Sequence, residues 1–392
     1  MKWEKVKLGE LYEVHNGLSK AGKFFGEGYP FLTFSTVFNN YFIPKQITDL
    51  VQSTEKEQES YSIRRGDVFV TRTSETSDEL GMSCVALKDY PMATYNGFTK
   101  RMRPITNRVF PEYIGYYMRL PSFRGEFRAF STMTTRASLR NEDLLGLEVK
   151  LPSIEIQKQI AGILSVYDDL IENNQKQIKL LEEAARRLYK EWFVDLRFPG
   201  HENTKIVDGV PEGWKKERLV DIAEIQYGYA FDGTLFNADK NGTPIIRIRN
   251  IPQAETMDYT TEHVSENYLV QNGEIIVGMD GEFHINAWAG NTAYLVQRVC
   301  CIRPKNTEIK GWLLQAIYEP IKFFERTVVG ATVAHLGKKH LDSIYLLTSP
   351  EGFYKPFMIL FDKRLLLENQ NRKLREARDR LLPKLMSGEV EV

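Results

Sequence analysis

Cysteine is scarce: the chain has three in 392 residues, and Cys84, Cys300 and Cys301 form no spaced pair. Neither a disulfide framework nor a structural zinc site is expected, and a reducing cytoplasm suits such thiols. The six histidines are scattered and add no metal-ligand spacing. No apolar run approaches 18 residues, and the charged N-terminus has no signal-peptide pattern, so neither membrane insertion nor secretion is expected. No phosphate loop is present, because residues 22–28 (GKFFGEG) lack the lysine–hydroxyl ending. No glycine-rich turn opens a helix after a strand, which argues against a Rossmann-type dinucleotide or adenosylmethionine pocket. The Asn/Asp-Pro-Pro-aromatic motif of an amino-methyltransferase is ruled out, since no Pro-Pro pair exists. Asp143 with Glu148 and Lys150 faintly resembles a nuclease carboxylate cluster, but alternating Leu145, Leu147 and Val149 read better as a buried strand. No nucleophile–histidine arrangement is locatable, so the chain reads as non-catalytic.

Excess charge is missing as well: 52 basic residues balance 52 acidic ones. Its distribution is uneven, which matters more for a polyanionic partner than the sum. Residues 100–140 hold nine basic groups against Glu112 and Glu126, and residues 353–388 hold nine against four. Hydrophobic content of 42% with 12% aromatics indicates a folded chain, and its length indicates more than one domain.

The strongest pattern present is a run at 154–192. One heptad register gives Ile160, Tyr167, Asn174, Leu181 and Leu188; a second gives Leu164, Ile171, Ile178, Ala185 and Trp192. This is the seam of a coiled coil with one strongly polar member, on a helix of about 40 residues and roughly 60 Å. Near the C-terminus Leu360, Leu367, Leu374 and Leu381 repeat the spacing, and the block at 368–371 echoes that at 172–175 at an offset of 196. An antiparallel pairing would bring the polar middles of the two helices together, so Asn174 is expected in a register-fixing polar layer.

The rest of the chain is also duplicated. Trp3, Leu8, Leu11, Glu13 and Gly17 match Trp214, Leu219, Ile222, Glu224 and Gly228 at an offset of 211. Residues 65–70 match 272–277, each a turn glycine opening a β-rich run, and Thr135, Leu139 and Leu144 match Thr332, Leu336 and Leu341. The drifting offset means that loops differ in length while a framework is shared. Strands are predicted near 29–34, 67–71 and 147–151, and near 244–248, 274–277 and 293–296. Helices are predicted near 112–120 and 312–324. The fold class is α+β: two homologous mixed α/β domains joined by two long antiparallel coiled-coil helices. The segments are 1–152, the helix 153–194, a connector 195–212, a second domain 213–350 and the helix 351–392.

Polar, aromatic and basic loops follow several strands. Arg, Asn, Ser and Thr side chains suit base edges, and Lys and Arg suit phosphates. The candidate DNA-contacting residues are Lys20, Lys23, Arg72, Thr73, Ser74, Asn96, Lys100, Arg101 and Arg136 in the first half. In the second they are Tyr227, Tyr229, Arg247, Arg249, Asn250, Asp280, His284, Lys338 and Lys339.

These features together resemble a family. The half-repeat, the helix end Arg187-Leu188-Tyr189-Lys190-Glu191-Trp192-Phe193-Val194, and the preamble Val210-Pro211-Glu212-Gly213-Trp214 are similar to the specificity subunit of type I restriction–modification enzymes. So are Gly278-Met279-Asp280-Gly281, Gly330-Ala331-Thr332 and the closing Leu381-Leu382-Pro383-Lys384-Leu385-Met386-Ser387-Gly388. The first half departs from the pattern, with Met133-Thr134-Thr135-Arg136 where the second has Gly330-Ala331-Thr332-Val333. The resemblance implies two target-recognition domains, each reading half of a split double-stranded DNA target. It also implies a helix pair that binds two methyltransferase subunits and, through them, restriction subunits. S-adenosylmethionine, ATP and Mg²⁺ would then belong to those partners, with no cofactor or metal bound by this chain.

Overall fold

A computed structural model of the chain describes residues 3–74, 80–129, 137–327 and 334–392, with backbone alone at 74, 128, 129, 137 and 138. The two central strands begin at the same device. Arg64 N donates to Asp67 Oδ2 at 2.7 Å and Gln271 N donates to Glu274 Oε2 at 2.8 Å, so each acid closes the turn before it. Gly66 and Gly273 take φ of 90° and 85° in those turns, a conformation that costs glycine least. The eight strands of the two main sheets are β1 (Tyr12–Asn16), β2 (Val68–Thr71), β3 (Ser83–Val85) and β4 (Thr99–Pro104), then β5 (Ala223–Tyr227), β6 (Ile275–Gly278), β7 (Ile285–Ala287) and β8 (Val299–Pro304).

Both sheets are antiparallel and share one order, β1-β4-β2-β3 in the first half and β5-β8-β6-β7 in the second. Register repeats too: Tyr12 faces Pro104 as Ala223 faces Pro304, and Val68 faces Met102 as Ile275 faces Ile302. β2 and β6 are buried throughout, and their sequences are apolar except for Thr71. A second, mixed sheet in each half contains a parallel pair, Phe31–Leu32 with Thr94–Tyr95 and Ile245–Ile246 with Tyr294–Leu295. Glu148–Leu151 pairs with Glu4–Lys7 and buries Val149 and Leu151, as its alternating pattern predicts; Asp143 is held by Arg140 at 2.8 Å. The helix expected near 112–120 has a second one after it, and the one expected near 312–324 is two. Pro111–Tyr117 is followed by Pro121–Ala129, and Lys310–Ala316 by Tyr318–Thr327. Pro121 cannot continue the preceding helix but suits the first turn of the next.

The long helices are α1 (Ile154–Tyr189, 36 residues) and α2 (Lys355–Ser387, 33 residues). At about 1.5 Å per residue they are roughly 50 Å long, and the whole helical run 154–194 has the expected length of about 40 residues. α1 widens into a π-helical turn at Lys190–Val194, and α2 stops at Gly388, whose φ is 78°. Among the described residues no helix is long and apolar enough to cross a membrane.

Contacts divide the chain into two units, Met1–Asp169 with Glu376–Val392, and Leu170–Arg375. Both long helices contribute to both units. The first core gathers Tyr113, Tyr116, Leu144 and Val149 around Ile160 and Leu164 of α1 and Leu382, Leu385 and Met386 of α2. The second gathers Trp214, Val277, Trp312 and Leu341 around Phe193 and around Phe357 and Phe361 of α2. The helix ends are therefore core elements of each unit.

Within each unit the helices run antiparallel. In unit 1 Asp168 meets Arg378, and in unit 2 Asn174 meets Asn371 while Glu182 meets Arg364. The Asn174 amide donates to Asn371 Oδ1 at 3.0 Å, both residues being buried. Their pairing joins the polar middles of the two antiparallel helices, as the sequence pattern predicts. The expected seam holds on α1 and changes on α2. On α1, Ile160, Leu164, Ile171 and Asn174 are buried, and Tyr167, Ile178 and Leu181 half-buried. On α2 only Leu367 of the four expected leucines is buried; Leu360, Leu374 and Leu381 lie on its shoulder. The buried face instead runs through Phe357, Phe361, Arg364, Asn371, Leu382 and Leu385. Leucine spacing alone misplaced it because two of its positions are arginine and asparagine. The fold is α+β, two homologous mixed modules with a long helix pair.

Candidate nucleic-acid interface

The chain leaving each central strand is held by two other loops. After β2, Arg72 N donates to Phe98 O at 3.0 Å and Leu139 N donates to Arg72 O at 2.9 Å, while Thr73–Ser74 pairs with Ala137–Ser138. After β6, Met279 N donates to Arg298 O at 2.8 Å and Leu336 N donates to Met279 O at 2.7 Å, while Asp280 bridges His335. The same three loops thus converge in both units: 72–74, 96–98 and 137–139, and 279–281, 296–298 and 334–336.

A fourth strand-to-loop exit joins them through a glycine. Leu18 N donates to Tyr95 O at 2.8 Å and Tyr229 N to Leu295 O at 2.9 Å. A Cβ on Gly17 would sit 2.0 Å from Asn96 O, and one on Gly228 would sit 2.1 Å from Val296 O. Only glycine admits this close backbone approach. Behind each cluster an ion pair braces the sheet. Arg103 Nη2 meets Asp67 Oδ2 at 2.6 Å and reaches Ser62 O at 3.0 Å; Arg303 Nε meets Glu274 Oε1 at 2.7 Å and its Nη2 reaches Leu269 O at 2.8 Å. Hydrogen bonding to the acid raises the pKa of each arginine, with burial opposing it.

Several basic residues expected at this surface serve the fold instead. Lys100 and Arg101, 5% and 3% exposed, lie in β4 inside the sheet. Lys100 donates to Asn141, and burial, with Arg72 adding repulsion, holds its pKa below the ordinary lysine value. Arg101 stacks over Tyr95 and donates to Ser62 O at 2.7 Å, its pKa lowered by burial. Lys20 is tied to Gln52 O at 2.5 Å and to Glu57 at 2.8 Å. Neighbours on a strand point to opposite faces, and both faces of β4 are covered at Lys100 and Arg101, which a basic run in sequence does not reveal. Arg249 and Asn250 both bind Asp258, and Arg247 lies over Phe236 with its backbone N on Asn250 Oδ1 at 2.8 Å. Tyr227 is half-buried, its pKa pushed up to about 12 by burial, and its hydroxyl has no hydrogen-bond partner among the described residues. Tyr229 packs between Phe231 and Tyr268. Lys338 pairs with Asp342, His284 lies 3.6 Å from Glu282, and Lys23 and Lys339 are exposed.

The residues that meet in the loop clusters are Arg72, Thr73 and Asn96 in unit 1, and Tyr229 and Asp280 in unit 2. Arg136, the side chain of Ser74 and the unequal turns at 133–136 and 330–333 lie outside the described residues. The sequence reading missed Phe98, 58% exposed on the 96–98 turn, and the group around Asp280. There His335 Nδ1 lies 2.5 Å and Arg298 Nε 3.3 Å from the carboxylate. The available signal was the short turn between two strands in each half, at 96–98 and 296–298. Such clusters present donors, acceptors, an aromatic face and a guanidinium on rigid supports, which is the chemistry of base-edge and phosphate recognition. Among the described residues no group of three or more His, Cys, Asp or Glu could hold a metal.

Comparison with known proteins agrees with this architecture. The family described as the type I restriction modification DNA specificity domain matches residues 1–183 and 211–349, one copy for each half. The MjaIX specificity subunit of Methanocaldococcus jannaschii is 26% identical over 411 aligned residues, covering all of this chain and 94% of that one. The HindI specificity subunit of Haemophilus influenzae is 22% identical, covering 99% of each. A crystal structure of the type I restriction–modification S subunit from M. genitalium has the same fold, with a TM-score of 0.58 at 16% identity over 98% of this chain and 96% of the other. Duplicated modules, a helix pair and twice-built polar loop clusters converge with these matches: the chain belongs to the type I restriction–modification DNA specificity family, as a non-catalytic subunit that recognises DNA sequence.

Proposed function

We propose that each unit reads one half of a bipartite double-stranded DNA target through its loop cluster, and that the helix pair sets the spacer between the half-sites. The observation that carries this reading is the twice-built cluster around Gly17 and Gly228, identical in backbone scheme and different in side chains. Readers with one framework and different surfaces read different half-sites, and a pseudo-two-fold repeat orients them oppositely on the duplex. Spacer length then depends on helix length, at about 1.5 Å per residue against roughly 3.4 Å per base pair. The candidate DNA contacts in this reading are Arg72, Thr73, Asn96, Tyr229, Asp280 and the exposed Lys23 and Lys339, with Phe98, Arg298 and His335 added.

The same reading has the helices dock two methyltransferase subunits, and restriction subunits through them. Apolar side chains stand exposed on the helices away from the seam: Ile163, Val166, Leu170 and Leu180 on α1, and Ile359 and Leu366 on α2. Repeated at helical spacing on a water-facing surface, they suit helices of a partner. Adenosylmethionine, ATP and Mg²⁺ belong to those partners, and a cytoplasmic location follows from the DNA target. The segments are then residues 1–152 and 213–350 as readers, 153–194 and 351–392 as helices and 195–212 as connector.

The test is methylome sequencing of a host carrying this chain and its methyltransferase, before and after exchange of residues 1–150 for another family member's module. One half of the methylated target should change while the other half stays. Unchanged targets, or a change in both halves, would sink the modular reading.

A further inference from the structure

Phe98 and Arg298 hold the same place in the repeat. Arg72 N donates to Phe98 O at 3.0 Å as Met279 N donates to Arg298 O at 2.8 Å. Thr99 N and Val299 N close the two turns on Asn96 O and Val296 O, at 3.0 and 3.2 Å. Both side chains stand out, Phe98 being 58% exposed and the Arg298 side chain 56%. The residues beside them correspond as well, since Thr73 pairs with Ser138 as Asp280 bridges His335. At matched backbone positions unit 1 therefore has threonine, phenylalanine and serine where unit 2 has aspartate, arginine and histidine.

Backbone, anchoring and charge single out Arg298. Its φ is 73°, at the third position of a four-residue turn where glycine is the usual occupant, and Phe98 fills the equivalent place without a positive φ. That conformation costs any residue with a Cβ, and such strain persists where it positions a functional group. Asp280 Oδ2 lies 3.3 Å from Arg298 Nε, and Asp280 Oδ1 is held from the other side by His335 Nδ1 at 2.5 Å. The carboxylate is thus anchored, and it engages the Nε edge alone. Among the described residues none accepts a hydrogen bond from the two Nη nitrogens. A guanidinium fork of this kind matches either a phosphate or the paired acceptors of guanine. The Asp280 charge decides between them, because it repels a phosphate and has no quarrel with a neutral base edge. We infer that Arg298 determines specificity in unit 2, its Nη nitrogens donating to O6 and N7 of one guanine, with Asp280 as the positioning residue. The inference rests on the bipartite reading proposed above and names a base within it. Phe98 has no side-chain donor or acceptor, so the equivalent place in the other half-site carries no such demand for guanine.

The experiment uses the full chain with its methyltransferase. Methylome sequencing gives the target, and exchange of residues 213–350 for another family member's module marks the half-site that unit 2 reads. Arg298→Gly relieves the strained φ, so the urea midpoint should not fall. At one G·C position of the marked half-site its preference for guanine should drop at least about tenfold, while the other half-site stays as it was. On synthetic duplexes each guanine of the half-site is then replaced in turn by 7-deazaguanine, which lacks the N7 acceptor. One replacement should weaken binding by the unaltered chain about fivefold or more and leave binding by R298G unchanged. D280N should lower the guanine preference of the unaltered chain and add nothing to R298G. A marked half-site without a G·C pair, an unchanged preference in R298G, or equal sensitivity of both chains to every 7-deazaguanine overturns the inference. So does a uniform loss of affinity across sequences, which would make Arg298 a phosphate contact. Should R298G fail to fold, the 7-deazaguanine series is decided between the unaltered chain and R298K, which keeps the charge and loses the fork. Should exchange of residues 213–350 change both halves of the target or neither, the bipartite reading falls. The guanine contact is then still decided by whether R298G relaxes one G·C position.

Discussion

The two loop clusters are the same object built twice, and they differ only in certain kinds of residue. Shared are the glycine of closest approach (Gly17, Gly228), the turn acid (Asp67, Glu274) and the arginine that braces it (Arg103, Arg303). Different are the groups the clusters present. Arg72, Thr73 and Phe98 stand in the first, where Asp280, His335 and Arg298 form a charged group in the second. The repeat has kept the contacts that shape the backbone and released the side chains that face outward. Fixed supports under variable surfaces are what a modular reader requires.

The comparison breaks most severely at the glycines. In Gly228→Val the new Cβ would meet the Val296 carbonyl at 2.1 Å, and in Gly17→Val the Asn96 carbonyl at 2.0 Å. The atoms struck are backbone, which cannot turn aside as a flexible side chain can. Each change should cost about 3 kcal/mol or more, read as a lower urea midpoint. Hydrogen exchange should show protection lost from the sheet of the altered unit and kept in the other. Equal loss in both would mean that the units do not stand on separate cores.

The braces sharpen the comparison by their unequal burial. The Asp67 side chain is 0% exposed and that of Arg103 17%; Glu274 and Arg303 are at 18% and 28%. Removing one charge of a buried pair leaves the other desolvated, at about 3 kcal/mol, and the cost falls as water reaches the site. Asp67→Asn should therefore destabilise more than Glu274→Gln, by roughly 1 kcal/mol. An equal or reversed order in paired urea titrations would show that backbone packing, not the ion pair, carries these turns.

The sequence made the shared parts legible, because a duplicated glycine, turn acid or apolar strand leaves two copies to compare. Gly17 with Gly228 and residues 65–70 with 272–277 stood out for that reason. Parts that depend on direction were not legible. Lys100 and Arg101 sit in a basic run, and only the fold covers both faces of their strand, setting one against Asn141 and the other against Tyr95. Asp280, Arg298 and His335 lie far apart in sequence and meet through hydrogen bonds between three loops. Which amides pair across the helices was not legible either, because Asn174 and Asn371 stand in blocks of several amides.

That asparagine pair yields the smallest effect and compares the helices directly. Asn174→Leu removes the donor to Asn371 Oδ1 and leaves a buried carbonyl oxygen without its partner, which should cost about 1–2 kcal/mol. Asn371→Leu should cost about the same, since it strands the Asn174 amide. The double replacement leaves no orphaned polar atom, so stability should return to within about 1 kcal/mol of the starting chain. What should not return is register. With leucine at both positions an antiparallel pair shifted by a heptad still buries apolar side chains, and the amide bond that penalised the shift is gone. Cysteines placed at Ile178 and Leu367 and at heptad-shifted neighbours would report the alternatives by cross-linking. Unique cross-links in the double variant would assign register to the arginine pairs alone, whereas mixed ones would assign it to Asn174 and Asn371.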